Sequence, residues 1–193
     1  MGAGTRDVSL SLDAPDSTIP SRSHVAIMER TLDEATPTVA ESAFVSEQSY
    51  LIGDVVVGDR ASVWPFTCLR GDGGSTVVGE ETNVQEFTML HGAVLGDEVT
   101  VGHNAVVDYA TVEDNSLVGM GSRVLRDARV ESDCIVAAGA VVLQGQTIPE
   151  GHLAYGAPAE TKPITDDQRD EIDRVHRHYV DLGRRYKASG GFE

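Results

Sequence analysis

From residue 45 onward the chain places a branched aliphatic side chain at nearly regular steps. Val45, Leu51, Val57, Val63, Leu69, Val78, Val84, Leu90, Leu95, Val101, Val107, Val112, Val118, Val124, Val130, Val136 and Val142 are all Val or Leu, and thirteen of their sixteen intervals are six residues. Such a self-similar hexad marks a solenoid rather than a layered fold. Four residues after most of these anchors stands a small side chain: Ser49, Ala61, Thr67, Thr82, Thr88, Ala105, Ser116, Ser122, Ala128, Cys134 and Ala140. One branched and one small inward residue per hexad suit a narrow coil built from very short strands. The positions just before the small ones often hold types that tolerate positive φ, among them Asp54, Asp72, Asn104, Asn115, Gly121, Asp127, Asp133, Gly139 and Gly145. Each hexad therefore reads as one strand and one corner, and three sides close a triangle. Coils stacked through parallel ladders rise about 4.8 Å each. The expected architecture is an all-β parallel β-helix of nearly six coils. Periodicity alone does not fix its handedness.

The three irregular intervals fall in the middle coils. The nine residues from Leu69 to Val78 predict a three-residue outward loop around Gly73, Gly74 and Ser75, while Leu90 to Leu95 and Val107 to Val112 are each one residue short. The flanks differ in kind. Residues 1–24 are rich in Ser, Asp, Thr and Pro without periodicity and read as a flexible extension. Residues 25–160 form the β-helix, and 161–193 a C-terminal segment with a helix. Thr165 and Gln168 have capping-box spacing. Beyond them Ile172, Val175, Tyr179, Leu182 and Tyr186 fall at steps of three and four, one apolar stripe facing the β-helix or a neighbouring subunit.

The repeat also orders the polar residues. The hexads that start at Leu69, Leu90 and Val107 share one side of successive coils, so Arg70, His91 and Asp108, each directly after its anchor, form one outward column. Gln85 and His103 follow Val84 and Val101 on the preceding side, so His103 leaves from a different flank. One chain would have difficulty bringing His91, Asp108 and His103 onto a single ion. Two nearby ligands with a third from another subunit would give a three-ligand site with an open position, the arrangement of catalytic zinc. The alternative is polar residues on a solvated face.

Charge narrows the partners. Thirty-one Asp and Glu stand against fifteen Lys and Arg, a formal net charge of -16. Such a surface repels nucleic acid and anionic membranes. Only two of the basic residues, Lys162 and Lys187, are lysines. An acid-rich, lysine-poor surface suggests a halophilic protein, since molar salt shrinks the Debye length to about 3 Å. No window offers the ~18 apolar residues of a membrane span and the N-terminus has no apolar signal core, which reads as cytoplasmic. Cys68 and Cys134 are too few and too far apart in sequence for a disulfide framework or metal cluster and read as reduced and structural.

Several longer motifs are more specific than the hexad: "SAFVSEQSYLIGDVVVGDRASVWPFTCLRGD" at 42–72, "NVQE" at 83–86, "LH" at 90–91, "VGH" at 101–103, "LVGMGSRVL" at 117–125 and "YGAPA" at 155–159. In that order they closely resemble the gamma-class carbonic anhydrase family, over roughly residues 27–186. The resemblance implies a left-handed β-helix, a homotrimer, and a zinc or iron ion at each subunit interface held by three histidines, two from one chain and one from its neighbour. The substrate it implies is carbon dioxide with bicarbonate as product. By position His91 matches the first ligand and His103 the one supplied across the interface. The third falls on Asp108, where the family has histidine. Arg70 and Asp72 match the subunit-interface pair, Asn83 and Gln85 the polar residues that position water or bicarbonate. Glu86 stands where the family more often has Asp. No proton-shuttling acid can be assigned in the short segments here, and Glu80 and Glu81 read as surface charge.

The Asp108 exchange leaves several functions open. One is a weakened or alkaline-shifted hydratase. Another is a catalytically silent structural trimer, with Asp108 paired to Arg70 or His103. A third is an acyltransferase or thioesterase acting on a coenzyme A thioester, with His91 or His103 as general base, and a mixed trimer with a related chain is a fourth. His152, in the loop "PEGHLAYG", reads as exposed rather than liganding, and His176 and His178 read as surface or interface residues. Trp64 and Phe66 read as interface or helix-packing residues, and Cys134 as a core filler.

Overall fold

The computed structural model describes residues 28–189. The expected extension over 1–24 lies outside the described residues. The chain winds as a parallel β-solenoid of about seven turns and ends in one α-helix. The pattern predicts fewer turns because it continues past both ends of the Val/Leu run. Val39 precedes Val45 in the first coil, and Ile148 and Ala154 carry the inward column on with other residue types.

Three faces form as the hexads require. The first stacks Phe44–Val45, Ser62–Val63, Asn83–Val84, Thr100–Val101, Leu117–Val118, Ile135–Val136 and His152–Tyr155, and Glu160–Pro163 folds back antiparallel on the last of these. On the second, Leu51, Leu69, Leu90, Val107, Val124 and Val142 stand directly over one another. The third carries Val57, Val78, Leu95, Val112, Val130 and Ile148. All seventeen anchors are buried, and so are all eleven small inward residues. Aligned columns of this kind give every methyl group partners above and below. Burying one such side chain contributes roughly 1.5–3 kcal/mol.

The corners show where local propensity was overridden. Asn104, Asn115, Gly121, Asp127, Asp133, Gly139 and Gly145 have positive φ as expected, whereas Asp54 and Asp72 do not. Arg60, Phe66, Glu81, Phe87 and Glu98 adopt positive φ instead. Solenoid closure demands a left-handed residue at these corners whatever the side chain, so the ladder overrides an unfavourable local preference of order 1–2 kcal/mol. The two short intervals turn on Gly92 (φ 56) and Tyr109 (φ 47), which occupy equivalent places on successive coils. The Tyr109 amide donates to His91 O, one coil away, as the Gly92 amide does to Arg70 O.

The nine-residue interval is an excursion within the strand Cys68–Val78, exposed over Asp72–Ser75, with a register shift opposite Gly53 and Val55. At the other end Thr165 caps the helix Asp166–Ala188 with both hydrogen bonds of a capping box. The helix lies on the first face. Phe44, Trp64, Tyr179 and Tyr186 form an aromatic cluster with centroids 5.0–5.6 Å apart. Gly183 lets the helix approach, since a Cβ there would sit 3.0 Å from Ser62 Cβ. Trp64 is thus a helix-packing residue, while Phe66 is exposed and stacks on Phe87. Of its surface and interface readings His176 takes the second: it is buried between the helix and the solenoid, with Nε2 3.2 Å from Glu81 and Nδ1 3.8 Å from Glu98. The apolar stripe sets which helix face turns inward, but His176 falls inside that arc. Cys134 is a buried core filler, and both cysteines are free.

Candidate functional site

On the second face register places Arg70 beside His91 and His91 beside Asp108 as Cα partners, the column expected from the hexads. All three follow a fully buried anchor, and strand alternation therefore points them outward. Asp72 joins them from the start of the exposed excursion. Arg70 donates to one oxygen of Asp72, from Nη2 at 2.5 Å and Nε at 3.2 Å, and holds that carboxyl below the usual carboxylate range. The other Asp72 oxygen, Oδ1, lies 3.1 Å from His91 Nε2. On the far side of the ring Nδ1 is 2.9 Å from Asp108 Oδ1. His91 is therefore set between two carboxylates.

One further residue joins the cluster from a corner of the solenoid. Tyr109 brings its hydroxyl to 3.2 Å from His91 Nε2 and its ring edge-on to the imidazole, with centroids 4.6 Å apart. Arg126 covers the other side of the phenol ring at 3.9 Å from its centroid. The glycines of the excursion are shaped around this ring: a Cβ on Gly73 would come within 2.0 Å of the hydroxyl oxygen. Holding a bulky aromatic residue at φ 47 costs roughly 1–2 kcal/mol, a kind of strain that clusters at functional sites. The sequence signal for Tyr109 was the one-residue deletion just after Asp108, which forces a left-handed corner there.

The remaining candidates lie on the first face, around one corner from this cluster. Asn83 and Gln85 are buried; Asn83 Nδ2 donates to Thr100 Oγ1 at 2.8 Å and Gln85 Nε2 to Asn83 Oδ1 at 3.2 Å. His103 turns its Nδ1 to Glu86 at 2.7 Å and makes no contact with His91 or Asp108. The structure thus brings together Arg70, Asp72, His91 and Asp108 and leaves Asn83, Gln85 and His103 apart. The corner between the two groups carries the Phe66–Phe87 stack, rings 5.2 Å apart and both more than half exposed. Among the described residues no three His, Cys, Asp or Glu side chains gather as a ready-made ion cage, and no helix is long and apolar enough to cross a membrane.

Next to His103 a groove of about 390 Å³ runs between the helix and the first face. Leu117, Met120, Ile135 and Val175 supply apolar walls, and Gln85, His103 and Tyr179 supply polar groups. Burial pushes the Tyr179 hydroxyl above its ordinary range.

No protein-family model matches the chain. It is 39% identical over 159 residues to a carbonic anhydrase of Geobacillus kaustophilus, covering 79% of this chain and 87% of that protein. It is 44% identical over 160 residues to the uncharacterized transferase YtoA of Bacillus subtilis, covering 80% and 94% respectively. A solved structure of a hexapeptide transferase family protein from Anaplasma phagocytophilum superposes with a TM-score of 0.81 at 34% identity, covering 83% of this chain and 98% of that one. With its stacked hexads, its outward His91 column and these relatives, the chain belongs to the gamma carbonic anhydrase-like, hexapeptide transferase family of the left-handed β-helix superfamily.

Proposed function

We propose that this protein catalyses the metal-dependent, reversible hydration of carbon dioxide, in a site completed between copies of the chain in a homotrimer. The observation that carries the reading is the division of the candidate residues into two groups on either side of one corner. Arg70, Asp72, His91 and Asp108 share one face, and Asn83, Gln85 and His103 the next. A neighbouring copy packed against that corner would bring its second group to this chain's first. The exposed Phe66 and Phe87 suit such a contact, since stacked aromatic surface gains from being covered.

The donor chemistry fits zinc or iron. Imidazole and carboxylate are ordinary ligands for both, and two from one chain plus one from another leave a position open. His91 and Asp108 would hold the ion with the partner's His103. When bound, such an ion supplies Lewis acidity that favours loss of a proton from water near neutral pH. The rest falls to the chain's own groups. The Asn83–Gln85 amide pair, locked against Thr100, orients water or bicarbonate, and the Arg70 guanidinium, fixed by Asp72, offers positive charge to the anionic product. Asp108 brings one more negative charge than a histidine would, so the hydration rate should rise on the alkaline side.

The test compares carbon dioxide hydration by metal-reconstituted protein with that of Asp108→His, at high salt, from about pH 6.5 to 9.5. Activity that climbs at alkaline pH, and moves toward neutral in the variant, supports the reading. A silent native protein beside an active variant would make this chain a retired hydratase kept as a trimeric scaffold. A second reading, acyl transfer from a coenzyme A thioester with His103 as general base, is favoured by the groove beside His103, whose volume is in the range of small-molecule sites. Thioester turnover abolished by His103→Gln would select it.

A further inference from the structure

The geometry points to a cation held on the Nε2 side of His91 by Tyr109 Oη and Asp72 Oδ1, with Asp108 acting from Nδ1 as a positioning residue rather than a ligand. This rests on the reading above that the site takes a metal ion, and it reassigns the donors.

His91 carries a carboxylate on each ring nitrogen. If Nδ1 donates its proton to Asp108, Nε2 turns a lone pair toward Asp72 Oδ1, which is itself an acceptor. Two acceptors 3.1 Å apart repel unless a proton or a metal cation lies between them. Tyr109 Oη is a second oxygen at 3.2 Å from the same nitrogen. Tetrahedral coordination with bonds of about 2.0–2.1 Å places donors about 3.3–3.4 Å apart, close to both separations. Arg70 occupies only Oδ2 of Asp72, so Oδ1 is left to face the site.

The role of Asp108 follows from the same contacts. A histidine that ligates a metal commonly donates its other ring N–H to a carboxylate, which fixes the tautomer and makes the ligating nitrogen a better donor. Asp108 stands in that place at 2.9 Å. Tyr109 also has the fixed position a ligand needs. Arg126 covers its ring, the excursion glycines close over its hydroxyl, and its backbone is held in a left-handed corner. The donor set is then His91, Asp72 and Tyr109 from one chain, with the partner's His103 able to complete it. Binding through the phenol oxygen displaces the phenolic proton to solvent.

The experiment loads the full-length assembled protein with Zn²⁺, followed by calorimetry, and separately with Fe³⁺, followed by visible absorption. A phenolate bonded to Fe³⁺ gives a charge-transfer band that imidazole and carboxylate ligands do not. The native protein is expected to show the band and Tyr109→Phe to lack it, with zinc bound at least ~10-fold more weakly in Tyr109→Phe and in Asp72→Asn. Asp108→Asn is expected to weaken zinc by about 10- to 100-fold while keeping the band at a shifted energy, a response that a merely structural role would not give. Trp64 fluorescence establishes that each variant is folded. A native protein that binds zinc but shows no band, or a Tyr109→Phe variant with unchanged affinity beside an Asp108→Asn variant that binds nothing, overturns the inference and leaves the hydratase reading standing. A native protein that binds neither ion overturns both.

Discussion

Leu90→Ala is the substitution that tests most directly how the solenoid core supports the site. Leu90 is fully buried, stands between Leu69 and Val107 in its column, and directly precedes His91. The change removes three carbon atoms. At about 0.8 kcal/mol for each buried methylene-sized group, the lost transfer energy is roughly 2.4 kcal/mol. The rungs above and below are pinned by parallel ladders and can collapse only partly onto the void, so the total should reach roughly 3–4 kcal/mol. Leu143→Ala makes the same chemical change at a side chain that is 46% exposed, and should cost no more than about 0.5 kcal/mol. The assay is equilibrium urea denaturation followed by the fluorescence of Trp64, the only tryptophan, which is buried under the helix. Urea is preferred because it leaves ionic strength constant for a chain of net charge -16. The midpoint should fall well below that of the Leu143 variant with the slope unchanged. Equal midpoints for the two variants would refute the column packing, and with it the register that sets His91 beside Asp108.

Other predictions address charge and the helix. Arg70→Gln should return the Asp72 carboxyl toward the ordinary carboxylate range, read by carbon NMR titration of that group, because the Arg70 hydrogen bond is the main cause of its lowering. The sign for stability follows: a carboxyl lowered in the folded state contributes above its unfolded value near 3.9 and loses that contribution as pH falls through the folded value. The variant should therefore lose less stability than the native protein as pH falls below that unfolded value. Raising salt from about 0.1 to 1 M shortens the Debye length from about 10 to 3 Å and should raise the thermal midpoint; a midpoint that falls would refute self-repulsion as the dominant surface term. Thr165→Ala removes the capping box and should cost about 1 kcal/mol, seen as faster amide exchange in the first helical turn with the solenoid strands unaffected.

The parts of the site legible in the sequence are those that depend on counting. A hexad is a statement about translation along the chain, so Arg70, His91 and Asp108 could be put in one column, and His103 on another flank, before any coordinates. Tyr109 was not legible as a partner of His91. Its side chain arrives from a corner whose direction depends on one missing residue, and nothing in local pattern says where a phenol then points. The partners of His176 were not legible for a similar reason, since a helical stripe predicts an apolar face but not the carboxylates of Glu81 and Glu98 that meet it from the solenoid.

By itself the sequence determined the repeat, the three faces, the buried columns, the exposed excursion and the capped helix, because each is set by hydrophobic period and short-range backbone preference. Only the tertiary structure decided which nitrogen of His91 meets which carboxylate, that Arg70 takes one oxygen of Asp72 and leaves the other, and that Tyr109 closes over the site. The His91 contacts with Asp108 and Tyr109 turn on side-chain directions between coils, 17 and 18 residues apart in sequence. They are settled by packing and electrostatics in three dimensions rather than by the order of residues within a hexad.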